Sequence, residues 1–356
     1  MHLTELRIRN FRCISSAAIE PAPALNLVTG DNASGKSSLL EAIYFLGRTQ
    51  SFRGTPSDRL IRSGEPELSV FGRLREAQGE TPVGVLRAGH QTRIKLGTQE
   101  GASVLELVST LPVQVIDPRL HQLLEEGPEQ RRRFLDWGVF HVEQSFYPAW
   151  LRYQRALRQR NRALREAKPG DAALWDRELV VQGEILDGAR TRYLADIDMP
   201  LKALFAGLFE NAEVGIEYQR GWPGDLSLSA TLARNLDRDA EAGHTQAGPH
   251  RADLKIRLHG RQARTRASRG EQKLIAAGLL LAQARLLMNK RARRPILLID
   301  DLAAELDAHS RARLLAATLS LGAQSFLTFL EAGQIPRAGG GIALFHVEHG
   351  RLRRRA

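Results

Sequence analysis

The residues able to do chemistry sit in three short stretches far apart in the chain. Gly30-Asp31-Asn32-Ala33-Ser34-Gly35-Lys36-Ser37 fits G-x-x-x-x-G-K-[ST], the phosphate-binding P-loop. Gly30 and Gly35 let the backbone turn so that its N–H groups face an anion, and a helix opening at Ser38 adds positive potential there. Lys36 can reach the β- and γ-phosphates of ATP, and the Ser37 hydroxyl can ligate Mg2+. Ile296-Leu297-Leu298-Ile299-Asp300-Asp301 is an apolar run ending in two acids. Asp300 suits a Mg2+ ligand, and Asp301 suits a group that orients or deprotonates the attacking water. The candidate catalytic residues are therefore Lys36, Asp300 and Asp301, with Ser37 and Asp300 as candidate metal ligands. In the third stretch, Ser268-Arg269-Gly270-Glu271-Gln272, a serine can cap a helix while its hydroxyl and the Gly270 N–H point at an anion.

These groups need scaffolding. Leu25 to Val28 reads as a buried strand entering the P-loop, and Leu39, Leu40, Ile43 and Leu46 mark the helix leaving it. The strand ending at Asp300 is expected beside the P-loop strand. Leu68–Leu74, Val83–Arg87, Arg93–Leu96 and Val104–Leu107 read as short strands of a mostly antiparallel sheet. Tyr147 to Glu166 and Ala172 to Phe209 read as an antiparallel helical pair around a Lys168–Asp171 turn. Arg152, Arg155, Arg158, Arg160, Arg162 and Arg165 lie along the first of these helices; a solvated face and a polyanion contact are both open. The basic end, Arg351 to Arg355, is expected to fray. The expected organisation is a first lobe begun by 1–120 with the P-loop and the antiparallel sheet, a helical lobe over 121–212, and 213–356 returning to the first lobe.

The 356 residues carry a net charge of +11, which favours nucleic acid as partner. One cysteine, Cys13, excludes an internal disulfide framework. The first residues lack the pattern of a signal peptide and no apolar run is long enough for a membrane span, so a cytoplasmic protein without a membrane partner is expected.

The order of P-loop, long insertion, S-x-G-E and apolar strand with Asp-Asp resembles the ABC-type ATPases, and Glu305-Leu306-Asp307 resembles their interface-crossing loop. Leu6-Arg7-Ile8-Arg9-Asn10-Phe11-Arg12 looks like the first strand of SMC-like heads, which implies Arg12 near the nucleotide. Only about 230 residues separate Lys36 from Ser268, too few for an SMC coiled-coil arm. Together with Gly127-Pro128-x-x-Arg131-Arg132-Arg133-Phe134-Leu135-Asp136-Trp137, Gln159-Arg160-Asn161 and Gly248-Pro249-His250-Arg251-Ala252-Asp253-Leu254, the chain resembles the RecF family of bacterial DNA replication and repair proteins. The resemblance implies an α/β fold, with an ABC-type head of mixed sheet and P-loop core plus a second, mainly helical lobe.

It further implies an ATP-dependent homodimer with two ATP molecules between its subunits. The nucleotide-contacting set is Gly30 to Ser38 with Arg12, Ser268, Gly270, Glu271 and Asp307. Weak DNA-dependent ATPase activity serving as a switch, DNA binding at single-strand gaps or duplex–single-strand junctions, and partners of the RecR and RecO type are also implied, with recombinase loading and the SOS response as the pathway. Gln50 and Gln114 are both candidates for the Gln-loop residue. Phe329 stands where these ATPases usually place a His, and Asp301 is a methylene shorter than the usual Glu; both point to slow hydrolysis. A non-catalytic ATP-binding scaffold and a small-molecule P-loop kinase are the alternatives.

Overall fold

The computed structural model describes residues 1–166, 169–210, 213–301, 306–329 and 341–355. In chain order they form β1 (His2–Phe11), β2 (Ile14–Ile19), β3 (Leu25–Thr29), α1 (Lys36–Arg48), β4 (Glu67–Glu76), β5 (Gly79–Ala88), β6 (Gln91–Leu96), β7 (Gln99–Glu100), α2 (Val104–Thr110) and β8 (Val113–Ile116). There follow α3 (Gln122–Glu125), α4 (Pro128–Val142), α5 (Phe146–Arg165), α6 (Pro169–Ala173), α7 (Asp176–Leu208), β9 (Val214–Gln219), α8 (Leu228–Arg234), α9 (Leu236–Ala242), β10 (Asp253–Leu258), β11 (Arg261–Gln262), α10 (Ala263–Arg266) and α11 (Arg269–Arg291). The chain ends with β12 (Ile296–Ile299), α12 (Ala308–Ser320), β13 (Ser325–Phe329), β14 (Ile342–Glu348) and β15 (Arg351–Arg355). It divides into two compact units, 1–120 with 277–356, and 121–276.

The first unit holds two sheets among the described residues. One is antiparallel, in the order β2-β1-β4-β5-β6-β7. The other has the order β15-β14-β3-β13-β12-β8, parallel except for the β14–β15 pair. α1 is buried on nearly every side: Leu39, Leu40, Ala42, Ile43, Phe45 and Leu46 join one core with Leu6 and Ile8 of β1, Val70 and Leu74 of β4, and Val28, Leu298 and Phe326 of the parallel sheet. A helix apolar all round belongs inside a core. β3 is buried along its whole length, as a central parallel strand should be. The parallel strands place the P-loop, Asp300 and Thr328 at one edge of the sheet, where α/β folds build their sites.

Several expectations need correction. β13 lies between β3 and β12, so the Asp300 strand is second from the P-loop strand and not its neighbour. Val104–Leu107 is helical: Ser103 and Glu106 form a capping box and Leu107 is the buried residue of α2. Arg351–Arg355 pairs with β14 as an edge hairpin strand and does not fray. Lys168 of the turn between the long helices lies outside the described residues, and Pro169–Ala173 is a short helix.

In the second unit α5 packs along α7, and β11-β10-β9 forms a separate antiparallel sheet. Residues 213–276, expected with the first lobe, cluster here because β9 and β10 pair with each other and α4 and α7 pack on them. Buried ion pairs hold this unit together. The Arg160 side chain is wholly buried and bonds Asp176, Asp239 and Thr245 at 2.7–2.8 Å, so it is no part of a solvent-facing arginine row. Arg190 pairs with Asp136 and donates to the Pro249 carbonyl; Arg131 pairs with Asp253; Asn161 accepts from Thr245. The Tyr153 hydroxyl and His250 Nδ1 are 2.7 Å apart, and His250 Nε2 is 3.0 Å from the Thr245 carbonyl. Burial lowers the His250 pKa to about 4, so the ring is neutral near pH 7.

Candidate nucleotide site

The P-loop is fixed by close packing. A Cβ at Gly30, φ 147°, would collide with the Val347 carbonyl, and one at Gly35, φ 117°, would come 2.9 Å from Cys13 Sγ. The loop closes through Ser34 N–H to the Asp31 carbonyl (3.2 Å), and the Gly350 N–H of the β14–β15 turn bonds the Ser34 carbonyl (2.8 Å). The Ser34 hydroxyl is buried with no hydrogen-bond partner among the described residues. Lys36 opens α1 and donates to the carbonyls of Gly30 (2.6 Å) and Asp31 (2.8 Å). Desolvation lowers its pKa, opposed by Asp300, Asp301 and Asp31.

Opposite the loop stand the acids. Asp300 is buried at the end of β12, and its Oδ1 accepts from Ser37 Oγ (2.9 Å) and from Thr328 Oγ1 (3.0 Å). Its Oδ2 faces an Arg53 Nη2 at 3.4 Å. Asp301 is exposed, has a left-handed backbone (φ 49°), and donates its N–H to Thr328 Oγ1 at 2.7 Å. Thr328 therefore bonds both members of the acid pair. A cleft of about 290 Å³ is lined by Asn32, Ala33, Gly35, Lys36, Ser37 and Ser38, by Asp300, Asp301, Thr328 and Phe329, and by Cys13 and Arg53.

Other expected site residues lie elsewhere. Gly30, Asp31 and Ser34 do not line the cleft. Neither does Arg12: its guanidinium grips the buried Glu41 carboxylate through two 2.7 Å bonds and reaches Thr55 Oγ1 at 2.9 Å, so Arg53 supplies the arginine at the cleft. Gln50 is exposed after α1, and Gln114, buried in β8, donates to Gln283 at 3.3 Å; neither lines the cleft. Ser268, Gly270 and Glu271 belong to the second unit. The exposed Ser268 caps α11, and its N–H and hydroxyl both donate to Glu271 Oε2 at 2.8 Å, which makes Glu271 the other half of a capping box. Asp307 caps α12, accepting from the His309 and Ser310 N–H groups and the Ser310 hydroxyl, which lower its pKa to about 2. Glu305 lies outside the described residues. Sequence reasoning missed Thr328 and Arg53 as site residues.

The donor set fits ATP and Mg2+. Glycine at positions 30 and 35 keeps a loop turn that a Cβ would break against Val347 and Cys13, and the buried Ser34 hydroxyl of the same loop has no hydrogen-bond partner among the described residues. Ser37 Oγ and Asp300 Oδ1, 2.9 Å apart, are the hard oxygen donors that Mg2+ takes alongside phosphate oxygens. Among the described residues no three acids, histidines or cysteines cluster as an all-protein metal cage.

A P-loop on a central parallel strand, an acid strand two places away and an antiparallel sheet on the other side of α1 define an ABC-type ATPase head. Comparison places the chain further. It matches the RecF/RecN/SMC N terminal domain family over residues 2–353. It is 38% identical over 356 residues to the DNA replication and repair protein RecF of Shewanella loihica, covering 99% of both chains. A solved structure of the recombination mediator protein RecF with ATP, in the RecFOR pathway, superposes with a TM-score of 0.87 at 26% identity, over 100% of this chain and 98% of that one. An SMC head bound to the C-terminal winged-helix domain of ScpA shares the fold, with a TM-score of 0.62 at 14% identity, covering 100% of this chain and 98% of the other. The chain belongs to the RecF family. Among the described residues no helix is long and apolar enough to cross a membrane.

Proposed function

We propose that this chain is an ATP-gated DNA-binding protein of recombinational repair and replication restart. Two copies close on ATP at a single-strand gap or duplex–single-strand junction, hydrolyse it slowly, and help load the recombinase. The observation that carries the reading is the convergence of Ser37, Asp300 and Thr328 at the mouth of a P-loop whose lysine is in reach. The RecF relatives, which bear the names of repair and recombination mediator proteins, support the pathway. RecR- and RecO-type mediators are the expected partners.

In this reading the loop N–H groups cradle the phosphates and Lys36 moves from the Gly30 and Asp31 carbonyls onto the β- and γ-oxygens. Ser37 and Asp300 would hold Mg2+, which would supply charge neutralisation at the phosphates. Asp301 orients the attacking water and takes its proton as the water oxygen bonds to the γ-phosphorus and ADP leaves. Ser268 and the Gly270 N–H of a second copy close over the γ-phosphate, while Glu271 fixes the serine. Asp307 sits at the same interface. Phe329 accepts no hydrogen bond from water and Asp301 is short, so turnover falls below the roughly 10 s⁻¹ median for enzymes. Loss of the γ-phosphate contact then releases the dimer, so dimerisation and nucleotide state are linked.

Molar-mass measurement by light scattering, with and without ATP, on gapped and intact duplex DNA, tests this. Wild type doubles its mass with ATP and Ser268→Ala stays monomeric while still binding nucleotide. An ATP-dependent dimer of Ser268→Ala overturns the composite site. ATP hydrolysis unaltered by Asp301→Asn supports the scaffold alternative instead.

A further inference from the structure

The exposed face of α5 carries a charge array that the nucleotide site does not use. Arg155, Arg158, Arg162 and Arg165 are all exposed and follow i, i+3, i+7, i+10 spacing, so they form one stripe along the helix. The opposite face, with Tyr153, Ala156, Leu157, Arg160, Ala163 and Leu164, is buried, which fixes the stripe outward. The one arginine of the row that has buried acid partners, Arg160, is on that inner face. Arg155, Arg158 and Arg165 have no ion-pair partner among the described residues, and Arg162 shares only an exposed i,i+4 pair with Glu166, which phosphate can replace at little cost.

We propose that this stripe is a docking surface for the backbone of duplex DNA. Ten residues of helix rise about 15 Å, over which a duplex presents roughly nine phosphate charges. Guanidinium groups spaced along one face of a single helix suit the stiff rod of a duplex, and each can donate to phosphate oxygens through two N–H groups. A single strand is recognised by free aromatic faces beside the cations. The aromatic residues at the start of α5 do not offer these: Tyr147 and Trp150 stack on each other with ring centroids 6.2 Å apart, Tyr147 also meets Phe140, and both are half-buried. The surface therefore reads charge and shape rather than sequence. The proposal does not rest on the ATP site.

The test is the salt dependence of binding to a blunt duplex and to a single strand of equal length, measured on the full chain with ATP and, separately, without it. In the quadruple variant Arg155→Gln, Arg158→Gln, Arg162→Gln and Arg165→Gln, the slope of log K against log salt on duplex should flatten by about 3 to 4, from a factor of about 0.9 per phosphate contact. Glutamine keeps helix propensity, and circular dichroism and ATP binding, both expected unchanged, check the fold. The matching quadruple Arg→Lys variant keeps the charges and should keep the slope. A control removes four exposed arginines off the stripe, Arg9, Arg59, Arg93 and Arg234, and should change the slope by less than one unit. An unaltered duplex slope in the Gln variant overturns the proposal. So does an equal loss in the control, which would make net charge the cause, or a loss confined to the single strand.

Discussion

Thr328 is the residue whose replacement most sharply probes how the acid pair is held. Its hydroxyl donates to Asp300 Oδ1 at 3.0 Å and accepts the Asp301 N–H at 2.7 Å. Thr328→Val keeps the shape and removes both bonds. A hydrogen bond to a charged group contributes about 1.5–3 kcal/mol. Asp300 keeps its Ser37 partner, so ATP affinity should stay within about threefold of wild type. Asp301 loses the bond that holds its left-handed backbone, and in the proposed mechanism its carboxylate is then free to leave the position from which it would orient water. That bond joins two neutral groups and contributes about 0.5–1.5 kcal/mol; felt only at the chemical step, its loss slows the rate by about 2- to 13-fold, at 1.36 kcal/mol per tenfold. Single-turnover hydrolysis read beside equilibrium nucleotide binding separates the two effects. Thr328→Ser, which keeps the hydroxyl, should recover most of the rate. Hydrolysis by Thr328→Val at the wild-type rate, or a loss of affinity as large as the loss of rate, would refute the reasoning.

Three further outcomes are expected. Asp239→Asn leaves the fully buried Arg160 short of a counter-charge and should destabilise the second unit by about 3–5 kcal/mol, read as a lower urea midpoint. All four tryptophans (Trp137, Trp150, Trp175 and Trp222) lie in that unit, so their fluorescence reports it alone. An unfolded histidine takes its proton near pH 6.5, but folded His250 does so only near 4. Its contribution is therefore complete above pH 6.5 and is lost as pH falls towards 4, worth up to about 3 kcal/mol; the difference between wild type and His250→Gln across that window isolates it, and a flat difference contradicts it. Lys36→Arg keeps the charge but changes its shape, and should slow single-turnover hydrolysis more than it weakens nucleotide binding.

The P-loop was legible because its signal is local: glycine spacing specifies backbone turns that the structure adopts at Gly30 and Gly35. The acid strand was legible as an apolar run, but its place in the sheet was not. Strand order is set by long-range packing, and nothing within Ile296–Ile299 announces that β13 intervenes. The role of Thr328 follows from that insertion, and a hydroxyl ending the otherwise apolar Phe326-Leu327 run was the only hint. Arg160 was misplaced despite a readable signal. Its position continues the spacing of Tyr153, Ala156 and Leu157 and leads to Ala163 and Leu164, so it falls on the apolar face. The Ser103–Glu106 capping box was equally readable and marks Val104–Thr110 as helix. Arg12 and Arg53 could not be told apart from sequence, because what separates them is the buried Glu41, a partner inside an apolar helix.

The central claim is that each ATP site is shared between two copies, and mixing two inactive variants tests it most directly. Lys36→Ala lacks a working P-loop and Ser268→Ala lacks a working closing serine, so each alone should hydrolyse no ATP above background. Mixed in equal amounts, the two variants can pair so that the intact P-loop of the Ser268→Ala copy meets the intact Ser268 of the Lys36→Ala copy, which restores one site of two, and hydrolysis should return to at most about half of wild type. A mixture as inactive as its components, or full activity of Ser268→Ala alone, would contradict a shared site.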